Sequence, residues 1–134
     1  MIFKHLSTVS QKNIFVPSTI LQNVLLGTDA TKEEARQLLN RMGLGYLNLE
    51  REIRSMKDLS GGEGKCLMLA RAFLRDASFY FIDEPTTGMD FQMKVNVVKV
   101  LKEKLREKTA IIVTHDPFVR EALECKVIRI DGCG

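Results

Sequence analysis

The chain has 134 residues, 45% of them hydrophobic, and a net charge of only +3 from 20 basic and 17 acidic side chains. This length suits one domain, and its basic residues alternate with acids, as in VLKEKLREK, so neither a nucleic-acid-binding stripe nor a nucleic-acid partner is expected. No apolar run is long enough to span a bilayer, and three cysteines without metal-ligand spacing argue against a disulfide framework.

The first elements in chain order are a short strand and a short helix. Residues 6–10 predict a strand that leads to Gln11. The segment STILQNVLLG predicts a helix that is capped at Ser18 and ended by Gly27.

Two further helices are predicted in the middle of the chain. DATKEEARQLLNRMGLG has acids in its first turn and predicts a helix capped by Asp29 or Thr31 that stops near Gly43. GEGKCLMLARAFLRD has apolar residues at helical spacing, so the glycines of DLSGGEGK are expected at a helix N-terminus.

Strands and helices alternate in the last part of the chain. SFYFIDEP and TAIIVTHD predict two strands of a parallel sheet that are buried on both faces, and KVIRID predicts a third strand. The intervening helices begin near Asp90 and at Pro117. This alternation indicates an α/β fold, and active residues of such folds lie at the carboxyl ends of the strands, where Asp83, Glu84 and His115 are found.

The glycine-rich segment superficially resembles a phosphate-binding P-loop. A P-loop requires G-x-x-x-x-G-K-[ST], but the residue five positions before Gly64 is Leu59, and Lys65 is followed by Cys66, which lacks a hydroxyl. The segment is therefore not a P-loop. A serine and two glycines at a helix N-terminus could instead bind an anion, or they could simply form the turn into the helix.

The acidic pair and the histidine each have two interpretations. In phosphoryl-transfer sites a strand-end aspartate such as Asp83 holds magnesium, and an adjacent acid such as Glu84 can orient or deprotonate water. The alternative is an acidic turn. His115 could donate a hydrogen bond to a phosphate, or it could be an ordinary polar residue after a strand.

The order of these motifs resembles the nucleotide-binding domain of the ABC ATPases, the domain familiar from ABC transporters. Leu59–Glu63 resembles the signature motif, Phe79–Glu84 the Walker B motif, and Thr86–Asp90 the D-loop. His115 resembles the switch histidine, and Gln11 resembles the Q-loop glutamine, followed by an exporter-like segment. Five motifs in register are far more specific than any one of them.

The resemblance implies a P-loop NTPase-like α/β fold, with a parallel sheet, helices on both faces and an ABC helical subdomain. It covers nearly the whole chain but begins at the Q-loop, so the Walker A motif is not among these residues and the domain is expected to be incomplete. It implies that residues 1–11 form a strand and the Q-loop, residues 12–75 the helical subdomain, and residues 76–134 the rest of the core.

The resemblance also implies roles for individual residues around ATP and Mg²⁺. Asp83 and Gln11 would bind the metal, Glu84 would be the general base, and Gln11 and His115 would sense the terminal phosphate. Asp90 would contact a second ABC ATPase domain in a head-to-tail dimer. The residues that would bind the partner's nucleotide are Ser60, Gly61, Gly62 and Glu63.

The function implied is that of the ATP-hydrolysing component of an ABC transporter, on the cytoplasmic side of a membrane with a permease docked near residues 11–26. Without Walker A, the chain alone is expected to be inactive. Two alternatives are open: a soluble ABC ATPase acting in translation or DNA maintenance, and a non-catalytic module that supplies only the signature half of a composite site.

Overall fold

The computed structural model describes residues 6–10, 14–124, 126 and 128. The predictions on Gln11, on two of the cysteines and on most of the KVIRID strand therefore lie outside the described residues. The strands are β1 (Leu6–Val9), β2 (Ser18–Thr19), β3 (Glu52–Ile53), β4 (Phe79–Asp83) and β5 (Thr109–Val113). The helices are α1 (Ile20–Leu25), α2 (Lys32–Arg41), α3 (Gly61–Leu74), α4 (Phe91–Lys104) and α5 (Pro117–Ala122), with a 3₁₀ turn at Met56–Asp58.

The main sheet has three parallel strands in the order β1-β4-β5. Val9 pairs with Ile82, which in turn pairs with Ile112, so the carboxyl ends of the three strands meet at one edge of the sheet. The short strands β2 and β3 form a separate antiparallel pair that the sequence did not predict. The predicted α/β fold class, a parallel sheet with helices, is confirmed.

Helix boundaries follow the local capping signals. Thr31 caps α2 and exchanges hydrogen bonds with Glu34 in a capping box, and the chain turns at Gly43 with a φ of +86°. The cap predicted for α1 was wrong. Thr19, not Ser18, caps this helix because only Thr19 has a glutamine, Gln22, three residues later to complete the reciprocal pair of bonds.

Helix α3 lies at the centre of the hydrophobic core. Most of its side chains are buried, and it packs on β1, where Ser7 Oγ donates to the carbonyl oxygen of Ala72 at 3.0 Å. Cys66 is buried inside this uninterrupted helix, and burial raises the pKa of its thiol to about 12.

The prediction that β4 and β5 are buried on both faces was wrong for the described residues. Tyr80 and Ile82 point to the core and are at most 2% exposed. Phe81, Ile111 and Val113 point to the other face and are 37%, 50% and 40% exposed. Because successive strand residues alternate between faces, one face of this sheet is apolar and open to solvent.

Candidate functional site

The edge at the carboxyl ends of the strands brings together residues from β4 and β5. Asp83 is the last residue of β4 and pairs with Val113, and the backbone N–H of Glu84 donates to the Val113 carbonyl at 2.7 Å. His115 follows two residues after β5. Gln11 lies outside the described residues, but Ser10 leaves β1 at the same edge.

The carboxylate of Glu84 is directed toward the loop after β5. The backbone φ of Glu84 is +50°, and the Glu84 side chain is only 15% exposed. Oε2 accepts a hydrogen bond from the His115 backbone N–H at 3.3 Å. Within the described part of the chain, the buried Oε1 accepts no hydrogen bond, although it lies 3.4 Å from His115 Nε2. A carboxylate oxygen held in this way is suited to accept a proton.

Asp116 fixes the loop that carries His115. Lys94 Nζ lies 2.7 Å from Asp116 Oδ2, and Thr86 Oγ1 donates to the same oxygen at 3.2 Å. Asp116 also caps α5, and the hydrogen bond from Lys94 is the main cause that lowers the pKa of Asp116. Asp116 therefore joins three segments: the loop between β4 and α4, the start of α4 and the loop of His115.

A pocket of about 420 Å³ opens at this edge. It is lined by residues from the end of β4, the loop between β4 and α4, α4 itself and the loop after β5. The lining residues are Glu84, Thr86, Thr87, Gly88, Met89, Lys94, His115, Asp116 and Pro117. His115 itself is highly exposed, with 93% of its side chain accessible, so its imidazole can reach a ligand at the mouth of the pocket.

The serine and glycines that resemble the signature motif form the N-terminus of α3, as predicted. Ser60 is the N-cap: its Oγ accepts from the Glu63 N–H at 3.0 Å, and its own N–H donates to Glu63 Oε1 at 2.9 Å. The Tyr46 hydroxyl donates to Glu63 Oε2. Partial burial by itself would raise the pKa of Glu63, but the hydrogen bonds from Tyr46 and Ser60 outweigh burial, and the pKa is lowered. The Ser60 hydroxyl thus lies at the positive end of α3, the end of a helix at which anions bind.

The glycines of the signature pack against the D-loop. A Cβ on Gly62 would lie 2.9 Å from the Gly88 carbonyl oxygen, and a Cβ on Gly88 would lie 3.0 Å from the Gly62 nitrogen. The sequence suggested only an anion site or a turn for these glycines. Their close approach to Gly88 depends on the tertiary fold, so no local sequence pattern predicts it. Asp90, at the end of the D-loop, caps α4 by accepting from the Met93 N–H at 2.8 Å.

Sequence reasoning also missed a role for Lys65, whose side chain is 2% exposed. Its Nζ donates to the carbonyl oxygens of Ser10 and Asp83. Burial lowers the pKa of Lys65, and the charges of Asp83 and Glu84 oppose this effect. The available signal was the composition of α3, in which Lys65 lies among residues that are mostly apolar.

Two further observations bear on metals and membranes. No group of three or more histidine, cysteine, aspartate or glutamate side chains among the described residues could hold a metal ion by itself. None of the helices in this part of the chain combines the length and the apolar character needed to cross a bilayer.

Comparisons with known proteins place this geometry in a family context. A family model described as "ABC transporter" matches residues 2–87. The chain is 36% identical over 116 residues to the glutathione/L-cysteine transport system ATP-binding/permease protein CydC of Escherichia coli, covering 82% of this chain and 20% of CydC. It is 37% identical over 130 residues to the macrolide export ATP-binding/permease protein MacB 1 of Yersinia pestis, covering 96% of this chain and 18% of MacB 1.

The chain thus spans about a fifth of the length of these two relatives. Among solved structures, it superimposes on a bacterial Atm1-family ABC exporter with ATP bound, with a TM-score of 0.81, covering 88% of this chain and 22% of that chain. The sequence identity there is 19%, so this similarity supports the fold alone.

Proposed function

Because the chain belongs to the ABC transporter family, we propose that it acts as part of the ATP-binding component of an ABC transporter and couples ATP hydrolysis to transport. The observation that carries the proposal is the meeting of Asp83, Glu84 and His115 at one sheet edge. The signature helix N-terminus, in the same compact unit, supplies the second half of a composite site. The relatives are named as ATP-binding/permease proteins, which favours a transporter over a soluble ABC ATPase.

The donor atoms at the sheet edge fit a magnesium-bound phosphate. Carboxylate oxygens are the ligands that Mg²⁺ prefers, and Asp83 presents one at the end of β4. When bound, Mg²⁺ would neutralise charge on the phosphate oxygens. Asp83 would hold the ion together with Gln11, and Glu84, with Oε1 free of hydrogen-bond donors in the described residues, would accept a proton from the attacking water. His115 and Gln11 would contact the terminal phosphate.

The P-loop that binds the phosphates in such sites is not found in these residues. The 134 residues contain no G-x-x-x-x-G-K-[ST] sequence, so the lysine and backbone N–H groups of a P-loop must come from elsewhere. We therefore assign the signature residues of this chain to a nucleotide held by a second ABC ATPase domain. Ser60 would donate its hydroxyl proton to the terminal phosphate, and Gly61, Gly62 and Glu63 would surround it at the positive end of α3. Asp90 would contact the partner domain.

We place the permease contact on the segment that precedes and includes α1. Ile14 and Val16 before α1 are 62% and 42% exposed, and Leu26 directly after it is 47% exposed, so apolar side chains on both sides of α1 are open to contact. Arg71 of α3 holds this segment by donating to the Ile14 carbonyl at 2.9 Å, and its guanidinium lies over the Phe15 ring. The chain would then lie on the cytoplasmic side of the membrane. The division into a helical part at residues 12–75 and a core part at residues 76–134 belongs to the same proposal.

A chimera tests this function. The residues that precede the matching Q-loop in Yersinia pestis MacB 1 are joined to this chain, so that a P-loop precedes residue 6. We expect the chimera to bind and hydrolyse Mg-ATP, whereas the 134-residue chain alone does neither, because the P-loop supplies most of the phosphate contacts. A folded, monodisperse chimera without ATP binding would contradict the proposal, and so would vanadate-sensitive turnover by the chain alone.

A complementation experiment tests the composite site. One chimera carries a disabled P-loop lysine, and the other carries Ser60→Arg, which blocks the phosphate-facing end of α3. Each is expected to be inactive alone, and mixing them should restore part of the activity, because one head-to-tail site then combines an intact P-loop with an intact signature. If mixing restores nothing although the unmodified chimera is active, the signature does not act in trans.

A further inference from the structure

Lys65 is a cation buried in the core of the chain. It lies on the first turns of α3 and is among the largest side chains that are fully buried. Lysine is almost never fully buried unless its ammonium group is paired or hydrogen-bonded. The partners of Lys65 therefore indicate what the buried cation does.

The two hydrogen-bond acceptors of Lys65 belong to the functional edge of the sheet. Its Nζ donates to the Ser10 carbonyl at 2.8 Å and to the Asp83 carbonyl at 3.2 Å. The pairing between β1 and β4 ends at Val9 and Ile82, so these carbonyls belong to the residue that follows on each side, Ser10 just after β1 and Asp83 at the end of β4, where Asp83 still pairs with Val113 of β5.

Each of these residues directly precedes a candidate catalytic residue. Ser10 leads into Gln11, and Asp83 leads into Glu84. Lys65 also lies five residues after Ser60 on the same helix. One side chain thus contacts the backbone of two strand ends and belongs to the helix that begins at the signature.

We propose that Lys65 is a positioning residue: its ammonium group holds the ends of β1 and β4 at a fixed separation and ties both to the signature helix. Only the link between this separation and ATP hydrolysis rests on the proposed function. The hydrogen bonds of Lys65 and their effect on the two strand ends are independent of that function. Lys65 touches neither nucleotide nor metal in this proposal and acts through the backbone of Ser10 and Asp83, the second of which leads directly into Glu84.

The test uses the 134-residue chain and the variant Lys65→Met, which keeps the length of the side chain but removes its donors. Lys99→Met, at an exposed position on α4, is the matched control. With ¹⁵N-labelled lysine, we expect one ammonium cross-peak to persist at neutral pH, because a buried, hydrogen-bonded ammonium exchanges slowly with water. It should be lost in Lys65→Met and retained in Lys99→Met.

Amide hydrogen exchange then separates positioning from general stabilisation. In Lys65→Met, the Glu84 amide should exchange about tenfold faster or more, as expected for lost bonds to a charged donor, while the Leu38 and Leu39 amides of α2 keep their rates. Acceleration at all amides alike would assign Lys65 a purely structural role and overturn the proposal.

A second variant covers the case in which Lys65→Met does not fold. Lys65→Arg keeps a charged donor and should remove the lysine cross-peak while leaving most of the Glu84 protection. The absence of any persistent ammonium cross-peak in the unmodified chain would overturn the proposal without any variant. Failure of the ATPase chimera would refute the proposed function and leave these results unchanged.

Discussion

Gly62→Ala and Gly61→Ala form a matched pair that tests the contact between the signature and the D-loop. The two glycines occupy neighbouring positions in the first turn of α3. A Cβ on Gly62 would lie 2.9 Å from the backbone carbonyl oxygen of Gly88, which cannot move away easily, whereas the nearest atom to a Cβ on Gly61 would be 3.9 Å away.

The expected magnitudes follow from these distances. An alanine in place of glycine stabilises a helix by up to about 1 kcal/mol, and this gain applies to both variants. Overpacking typically costs about 1–3 kcal/mol, and it applies to Gly62→Ala alone. We therefore expect Gly61→Ala to unfold at the same or slightly higher temperature than the unmodified chain, and Gly62→Ala to be less stable by about 1–2 kcal/mol, or several degrees in Tm.

The assay is urea denaturation of the 134-residue chain followed by far-UV circular dichroism, with thermal unfolding as a second measurement. The difference between the two variants reports the crowding at Gly62, where a Cβ would also lie 2.9 Å from Met93 Sδ; the flexible Met93 side chain can move away, so the Gly88 carbonyl is the contact that remains. Equal stability of the two variants would refute the inference that the signature glycines are required for this packing.

The remaining predictions concern the catalytic edge, the open sheet face and the His115 loop. In the P-loop-carrying chimera, Glu84→Gln should slow hydrolysis by about a hundredfold or more while preserving ATP binding and ATP-dependent dimerisation, whereas Asp83→Asn should weaken Mg-dependent binding itself; parental turnover by Glu84→Gln would rule out the general-base role. Ile111→Thr, which keeps a β-branched side chain on the exposed face, should raise the concentration at which the chain stays monomeric in light scattering, and no change would argue against this face as the site of association. Asp116→Asn should lower the free energy of unfolding at neutral pH. Because the folded-state pKa of Asp116 is lowered, the stability contributed by its carboxylate is complete above the ordinary carboxyl pKa and is lost as the pH falls through the folded-state pKa. A difference in stability between variant and unmodified chain that persists undiminished in strong acid would contradict this role of the carboxylate.

Local signals predicted the elements that position the site. Each of three local signals acts over a few residues, and each predicted an element that forms: the apolar run before Asp83, the acids after Thr31 and the glycines in the first turn of α3. The meeting of Asp83, Glu84 and His115 followed from the rule that parallel strands end at one edge.

The features that the sequence did not predict depend on contacts between distant residues. The carbonyls that accept from Lys65 come from two strands far away in the chain, and the hydroxyl of Tyr46 reaches Glu63 from the loop after α2. The exposure of Phe81 also depends on distant residues, because an apolar strand indicates that both of its faces are suited to burial but not which residues cover them.

The left-handed backbone of Glu84 has a consequence for how stability and activity are balanced in this chain. A residue with a Cβ loses about 1 kcal/mol or more in this conformation, which glycine adopts freely and asparagine tolerates better than glutamate. On conformational energy alone, glycine would be preferred at position 84. The chain instead carries a carboxylate there, so a screen that selects only for thermal stability would be drawn toward variants that have lost the proposed base.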